Sequence, residues 1–154
     1  MRASYYDLEL KGQMDRLSMD PVKADYLKEK EDWAAVLDSM VLCRFSRAVF
    51  PWENLVKAID LVTGLGLTRE EVVSAGERIT NLARVFGVGA GIKREDDYPA
   101  KRMMSESLPE GPSKGQVIER EDYDRMLDRY YRLRGWDSSG VPTAAKLKEL
   151  DIEG

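Results

Sequence analysis

The chain is 154 residues long, with 43% hydrophobic and 34% charged residues. This length suits one domain or two small lobes whose core needs no disulfide or metal, and the composition excludes a disordered chain. The net charge is −4 with acids and bases interleaved, so no basic surface for nucleic acid is present. The short apolar stretches exclude a membrane-spanning helix. No hydrophobic signal region follows Met1, so we expect a cytoplasmic protein.

The sequence contains one cysteine, Cys43, and no histidine. An intrachain disulfide is therefore impossible, and a zinc site would lack most of its usual ligands. Nucleophilic catalysis with a histidine base is also excluded within this chain. The free cysteine and seven methionines fit a reducing compartment. The chain thus lacks a complete active site, and we predict no catalytic residue in it.

The first half of the sequence reads as helices. Residues 1–12 form a lead-in, and Asp20-Pro21 is a favourable helix start, so a long helix is predicted from there to about Cys43. A second helix is predicted from Pro51 to Thr63, ended by Gly64 and Gly66. The residues expected to face the core of these two helices are Tyr26, Trp33, Leu37, Met40, Leu55, Ile59 and Val62.

A capping box, Thr68 with Glu71, predicts the start of a third helix that runs to about Phe86. Gly76 marks a possible close contact with another helix. The expected buried stripe of this helix is Val72, Ile79, Leu82 and Phe86.

The glycine run at 87–91 follows a helix and opens a charged loop, whereas a phosphate-binding loop should follow a strand and open a helix. We therefore interpret it as a helix end with a flexible turn. The acidic residues at 93–97 match no calcium-loop spacing, so a solvated turn is expected there.

Residues 99–118 hold several prolines and glycines and predict a surface crossing. A fourth helix is predicted from Arg120 to Leu133, and a short last helix runs to about Leu150 with Thr143 as its cap. The prediction is an all-α, irregular multihelical fold of five or six helices. It forms either one domain, 1–154, or two small lobes, 1–67 and 68–154.

Residues 38–43, Asp-Ser-Met-Val-Leu-Cys, are the segment most suited to chemistry. On an ideal helix Asp38 and Cys43 are roughly 140° apart, so both can face one site only if the helix ends or bends near Leu42. A carboxylate beside terminal carbonyls could then accept hydrogen bonds from a ligand rich in N–H groups. The alternative is that Cys43 is a buried small hydrophobe and Asp38 is a solvated or capping acid.

The segment 38–43 resembles the Asp-x-x-Gly-Leu-Cys motif of the tungsten- or molybdenum-dependent aldehyde ferredoxin oxidoreductase family. Four further stretches resemble signatures of the same family, in the same order, so the resemblance covers almost the whole chain. They are the helix Glu77–Phe86, the loop Arg94–Arg102, the turn Leu108–Gly115 and the C-terminal stretch from Met126 through Trp136 and Gly140 to Leu150.

The resemblance implies that the chain is the C-terminal helical part of a larger oxidoreductase. Such enzymes hold a tungsten or molybdenum bis-pterin and one 4Fe-4S cluster, oxidise aldehydes to acids and pass electrons to ferredoxin. Cys43 would be one thiolate ligand of the cluster, Asp38 would accept hydrogen bonds from a pterin, and the backbone at Leu42 would assist. The β-rich N-terminal domain or subunit, three further cysteines and a proton-transfer histidine would come from upstream. The isolated chain is expected to bind neither cofactor and to be inactive.

Two departures from the family pattern bear on this interpretation. Val41 stands where the motif usually has glycine, and the glycine run 87–91 replaces a more polar segment. A second hypothesis is therefore a freestanding helical interaction module that kept the fold without cofactor or activity. It predicts a closed surface and a buried Cys43. The enzyme-part hypothesis predicts Cys43 at an open surface with an apolar patch around Trp33, Met40 and Phe45.

Overall fold

The computed structural model describes Gly12, Asp15 and residues 17–152. The predicted lead-in, apart from Gly12, lies outside the described residues. Within them the chain forms six α-helices, and its only β-type pairing is an isolated bridge between Trp136 and Pro142. The helices are α1 Val22–Ser39, α2 Trp52–Thr63, α3 Arg69–Gly89, α4 Lys101–Ser105, α5 Arg120–Arg134 and α6 Ala144–Glu149, with short 3-10 helices at Arg44–Ala48 and Arg94–Asp97.

The fold is all-α, as predicted, and most helix ends lie where the capping residues indicate. Thr68 Oγ1 accepts a hydrogen bond from the Glu71 backbone N–H at 3.2 Å, and Glu71 Oε2 accepts one from the Thr68 N–H at 2.7 Å. Gly64 ends α2 in the left-handed conformation that glycine adopts without a steric cost. Thr143 caps α6. The exceptions are α1, which ends before Cys43, and the crossing at 99–118, which contains the short helix α4.

Helix α1 lies at the centre and packs against both α3 and α5. Gly76 of α3 lies so close to α1 that an added Cβ would overlap the backbone carbonyl of Asp32. The close helix contact predicted at Gly76 is therefore confirmed. The ion pairs Asp25 with Arg129 and Asp32 with Arg134 show that α1 and α5 run in the same direction.

The first apolar core joins α1, α2 and the start of α3. Trp33 and Leu37 of α1 are buried in it, as predicted, and the Trp33 indole N–H donates to the Phe50 carbonyl at 2.9 Å. The other buried residues of this core are Ala34, Val36, Trp52, Leu55 and Val72.

The predicted apolar stripe of α3 is wrong beyond Val72. Ile79, Leu82 and Phe86 are 38%, 56% and 79% exposed. The face of α3 that turns inward instead carries Gly76 and Asn81, because glycine allows close helix approach and the buried asparagine finds a partner in the fold. Val62 of α2, also expected inside, is 84% exposed.

A second core contains Leu127, Tyr131 and Trp136. The C-terminal segment is bound to α3 at several points, including two side-chain hydrogen bonds. The Trp136 indole N–H donates to Asn81 Oδ1 at 2.7 Å, and Arg78 Nε donates to the Leu150 carbonyl at 2.5 Å. No helix in the described part of the chain is long and apolar enough to cross a membrane.

Candidate functional site

The candidate site is the turn that follows α1, which we call the 38–49 corner after its residues. Helix α1 ends at Ser39, and the next residues close it with two backbone hydrogen bonds. The Val41 N–H donates to the Asp38 carbonyl at 3.0 Å, and the Leu42 N–H donates to the Leu37 carbonyl at 3.2 Å. This pair of hydrogen bonds, together with the left-handed backbone of Val41 just after the helix, is a Schellman motif.

The helix end that the sequence required near Leu42 thus comes slightly earlier, at Ser39. After the turn, Cys43 has extended backbone and precedes the short helix Arg44–Ala48. Asp38 and Cys43 are both exposed, and Leu42 is half-buried against the first core. The Leu42 side chain therefore anchors the corner to the fold while the two polar side chains face outward.

Val41 adopts φ = 58°, in the left-handed region. Glycine occupies this position of a Schellman motif most easily, whereas a side chain there costs about 1–2 kcal/mol because Cβ approaches the following carbonyl oxygen. β-Branched residues are particularly rare in this conformation. The Val41 side chain is also 92% exposed, so packing against the described part of the chain does not compensate the strain.

The corner presents apolar side chains to solvent. Phe45 is 90% exposed and Val49 is 61% exposed. The expected patch around Trp33, Met40 and Phe45 is wrong for Trp33, which is only 4% exposed because it fills the first core. The exposed patch consists instead of Val41, Phe45 and Val49.

The 38–49 corner does not contain enough metal-ligating side chains to form a metal site by itself. It offers one thiol, Cys43, and one carboxylate, Asp38, both exposed. Among the described residues no group of three or more His, Cys, Asp or Glu side chains could hold a metal ion. The corner can therefore contribute one part of a larger ligand set.

A second polar cluster, around Asp97, was not identified from the sequence. Arg84 donates to both Asp97 carboxylate oxygens, at 2.9 and 2.6 Å, and the Tyr131 hydroxyl donates to one of them at 2.5 Å. Burial, reinforced by Asp97, raises the pKa of Tyr131, so this hydroxyl remains a donor at neutral pH. The solvated turn expected at 93–97 is therefore wrong for Asp97. The partners lie 13 and 34 residues away in sequence, so no local pattern could have found them.

A cavity of about 610 Å³ lies beside this cluster, between α1 and α5. None of its lining residues belongs to the 38–49 corner. Several of its polar groups are paired: Glu31 accepts from Tyr130 and from Arg134, and Arg84 is paired with Asp97. The cluster and the cavity wall consequently act as structural contacts between α1, α3 and α5.

Comparison with known proteins finds several oxidoreductases that are similar to this chain. The tungsten-containing aldehyde ferredoxin oxidoreductase of Pyrococcus furiosus is 35% identical over 142 residues, which are 91% of this chain and 23% of that protein. Its counterpart in Pyrococcus horikoshii is 37% identical over 125 residues, 80% of this chain and 20% of that protein. A Pyrococcus furiosus aliphatic sulfonate oxidoreductase, WOR-like subunit, is 31% identical over 125 residues, 77% of this chain and 20% of its own.

A solved structure has the same fold. The active site complex BamBC of benzoyl coenzyme A reductase, bound to 1,5-dienoyl-CoA, superposes with a TM-score of 0.74. The match covers 99% of this chain and 24% of that chain at 20% identity, which establishes similarity of fold alone. The chain therefore spans only a fifth to a quarter of the length of the proteins it matches.

The family model described as aldehyde ferredoxin oxidoreductase, domains 2 and 3, matches residues 1–152, nearly the whole chain. The match covers all five stretches on which the resemblance in the sequence rests. The chain therefore belongs to the aldehyde ferredoxin oxidoreductase family and corresponds to its C-terminal domains.

Proposed function

We propose that this chain is the C-terminal part of an aldehyde-oxidising enzyme and helps to enclose a tungsten or molybdenum bis-pterin and a 4Fe-4S cluster. The observation that carries the proposal is the 38–49 corner, where the α1 helix end leaves Asp38 and Cys43 exposed. We further propose that residues 1–154 act as one C-terminal domain, because α1, which precedes residue 68, packs against α3 and α5, which follow it. The complete enzyme is proposed to work in the cytoplasm.

Cys43 would supply one of the four thiolates that a 4Fe-4S cluster needs. The exposed thiol fits a ligand shared with another part of the enzyme, since the described residues offer no second cysteine beside it. Asp38 would accept hydrogen bonds from pterin N–H groups, as a carboxylate at a helix end can do. The backbone at Leu42, held by the half-buried side chain, would assist this contact.

The remaining machinery would come from the upstream part, a β-rich domain or subunit that carries the other three cysteines. When bound, the metal–pterin centre supplies the two-electron oxidation of an aldehyde to an acid, and the cluster supplies electron transfer towards ferredoxin. The role of this chain is to bind and orient through Asp38, Leu42 and Cys43, and to help exclude water from the site. The isolated chain is proposed to be inactive.

The alternative is a freestanding helical module without cofactor. That hypothesis predicts a buried Cys43 and a closed surface. In the structure Cys43 is exposed, and Val41 and Phe45 are 92% and 90% exposed. These observations favour the enzyme part over the freestanding module.

The test is to produce this chain together with the upstream part and to measure iron, tungsten and molybdenum in the purified complex. We expect cluster absorbance in the complex and no stoichiometric iron in the chain alone. The variant Cys43→Ser should lose cluster iron, and Asp38→Asn should lower the metal–pterin content. The matched control Glu121→Gln changes an exposed acid in the first turn of α5 and should leave both contents unchanged.

Stoichiometric iron in the isolated chain, or full cluster content in the Cys43→Ser complex, would contradict the proposal. A complex that contains neither iron nor pterin would favour the freestanding module instead.

A further inference from the structure

The strained turn at Val41 points to a docking surface. Val41 has φ = 58° and is 92% exposed, so its β-branched side chain has an unfavourable conformation that no packing contact within the described residues stabilises. Backbone strain persists where the surroundings over-determine the conformation, and it is concentrated at functional sites. The contact that stabilises the Val41 side chain must therefore be sought outside the described fold.

Two neighbouring apolar side chains are also exposed to solvent. Phe45 is 90% exposed and Val49 is 61% exposed, so three large apolar side chains within nine residues face solvent. Exposed aromatic and aliphatic side chains that cluster in this way mark interaction sites. The arginines between them, Arg44 and Arg47, are also exposed and provide a polar rim, as is usual around an apolar interface.

We propose that Val41, Phe45 and Val49 form the surface on which the upstream part of the enzyme docks, and that docking stabilises the strained backbone at Val41. This inference rests on the proposed function, because it takes Cys43 as a ligand of a cluster shared with the upstream part.

The occupant follows from chain geometry and length. Val41 and Phe45 are each two residues from Cys43, so their Cα atoms lie within about 7 Å of its Cα. A partner that brings three more thiolates to a cluster on Cys43 comes within reach of both side chains. The relatives also extend far beyond this match, which covers only 20% to 24% of their chains. The upstream part therefore has both the position and the size needed to cover the corner.

The experiment separates strain from docking with single substitutions at Val41, Phe45 and Val62. This chain carries an affinity tag and is co-expressed with the upstream part; if the two are one polypeptide, a site-specific protease cuts the junction after purification. The amount of upstream part retained on the tag measures docking. The urea midpoint of the 154-residue chain alone measures its stability.

Val41→Gly should change the two measurements in opposite directions. It removes the left-handed strain, so the urea midpoint of the chain alone should rise, and it removes the docking side chain, so at least tenfold less upstream part should be retained. Phe45→Ser should weaken retention to a similar extent with an unchanged midpoint. The control Val62→Ala, an exposed valine on α2 with ordinary helical backbone, should leave retention unchanged.

Unchanged retention for Val41→Gly and Phe45→Ser would overturn the inference, as would a wild-type chain that retains no upstream part. Association of the wild-type chain with itself that is lost in Phe45→Ser would assign the surface to a second copy instead. Iron content keeps this test distinct from the proposed function. Full retention by the Val41 and Phe45 variants with intact iron overturns only the docking surface, whereas normal docking without iron overturns the cluster.

Discussion

Asp32 of α1 and Arg134 of α5 form an ion pair that is almost completely shielded from solvent, with side chains 2% and 0% exposed. Arg134 also donates to Glu31 Oε2 at 2.7 Å and to the Tyr130 hydroxyl at 3.1 Å, and Lys28 pairs with Asp32 from the preceding turn at 2.9 Å. Every charge in this contact has a partner, so the pair holds the two helices in one register.

Removing one member of the pair should therefore be costly. Arg134→Met leaves the Asp32 carboxylate buried with only Lys28 to balance it, and we expect a loss of about 3–5 kcal/mol in the free energy of unfolding. Arg129→Met is the control on the same helix. Its partner Asp25 is partly exposed, and an exposed pair contributes about 0–1 kcal/mol. Urea denaturation of both variants checks the difference, and equal losses would contradict the assignment.

The contact at Gly76 makes a second prediction. Gly76→Ala would place a Cβ against the Asp32 carbonyl, which is backbone and cannot move aside. We expect a loss of about 2–3 kcal/mol from overpacking, visible as a lower thermal midpoint. Gly89→Ala, at the other end of α3, meets open space and should be neutral or slightly stabilising because alanine favours the helix. A harmless Gly76→Ala would show that α1 and α3 do not approach this closely.

Glu77 predicts a dependence on pH. Burial alone would raise the pKa of Glu77, but Lys146 and Lys28 outweigh it and hold the pKa below its usual value. A lowered folded-state pKa contributes stability that is present above the unfolded pKa, about 4.3, and is lost as pH falls through the folded value. The wild type should therefore lose stability below about pH 4 more steeply than Glu77→Gln, which should be less stable at pH 7. Urea midpoints between pH 3 and pH 7 test this, and parallel profiles would contradict it.

Because Phe86 of α3 faces solvent, its substitution can be compared with that of a buried apolar residue. Leu37 of α1 is fully buried, and Leu37→Ala should cost about 2–5 kcal/mol. Phe86 on α3 is 79% exposed, and Phe86→Ala should change the unfolding free energy by no more than about 0.5 kcal/mol, as surface substitutions usually do. Urea denaturation checks both, and a large loss for Phe86→Ala would restore the buried stripe expected from the sequence.

Most helix ends were predictable because each depends on a few adjacent residues. Thr68 and Glu71 cap α3 through their own side chains, and Gly64 and Gly135 end α2 and α5 with positive φ. Thr143 caps α6 by accepting a hydrogen bond from the Lys146 backbone N–H. These interactions are local, so the sequence alone contains the physical information.

The inward face of α3 could not be predicted because periodicity selects the more apolar face, whereas contacts with residues distant in sequence bury Gly76 and Asn81 instead. The apolar residues Leu82 and Phe86 face outward, while Asn81 and Arg84 find partners that are distant in sequence, Trp136 and Asp97. Part of the candidate site was accessible: the sequence required a helix end near Leu42, which the fold supplies at Ser39. The roles of Asp38, Leu42 and Cys43 come from the family resemblance and stay predictions.

Helix α1 has 18 residues and, at 1.5 Å per residue, is about 27 Å long. Its C-terminal end leads into the 38–49 corner, and its earlier turns are bound to α5 through the pairs Asp25 with Arg129 and Asp32 with Arg134. Helix α1 thus connects the 38–49 corner rigidly to the contact with α5. A small displacement of the corner along the helix axis would shift the buried ion pair and the aromatic core beside it.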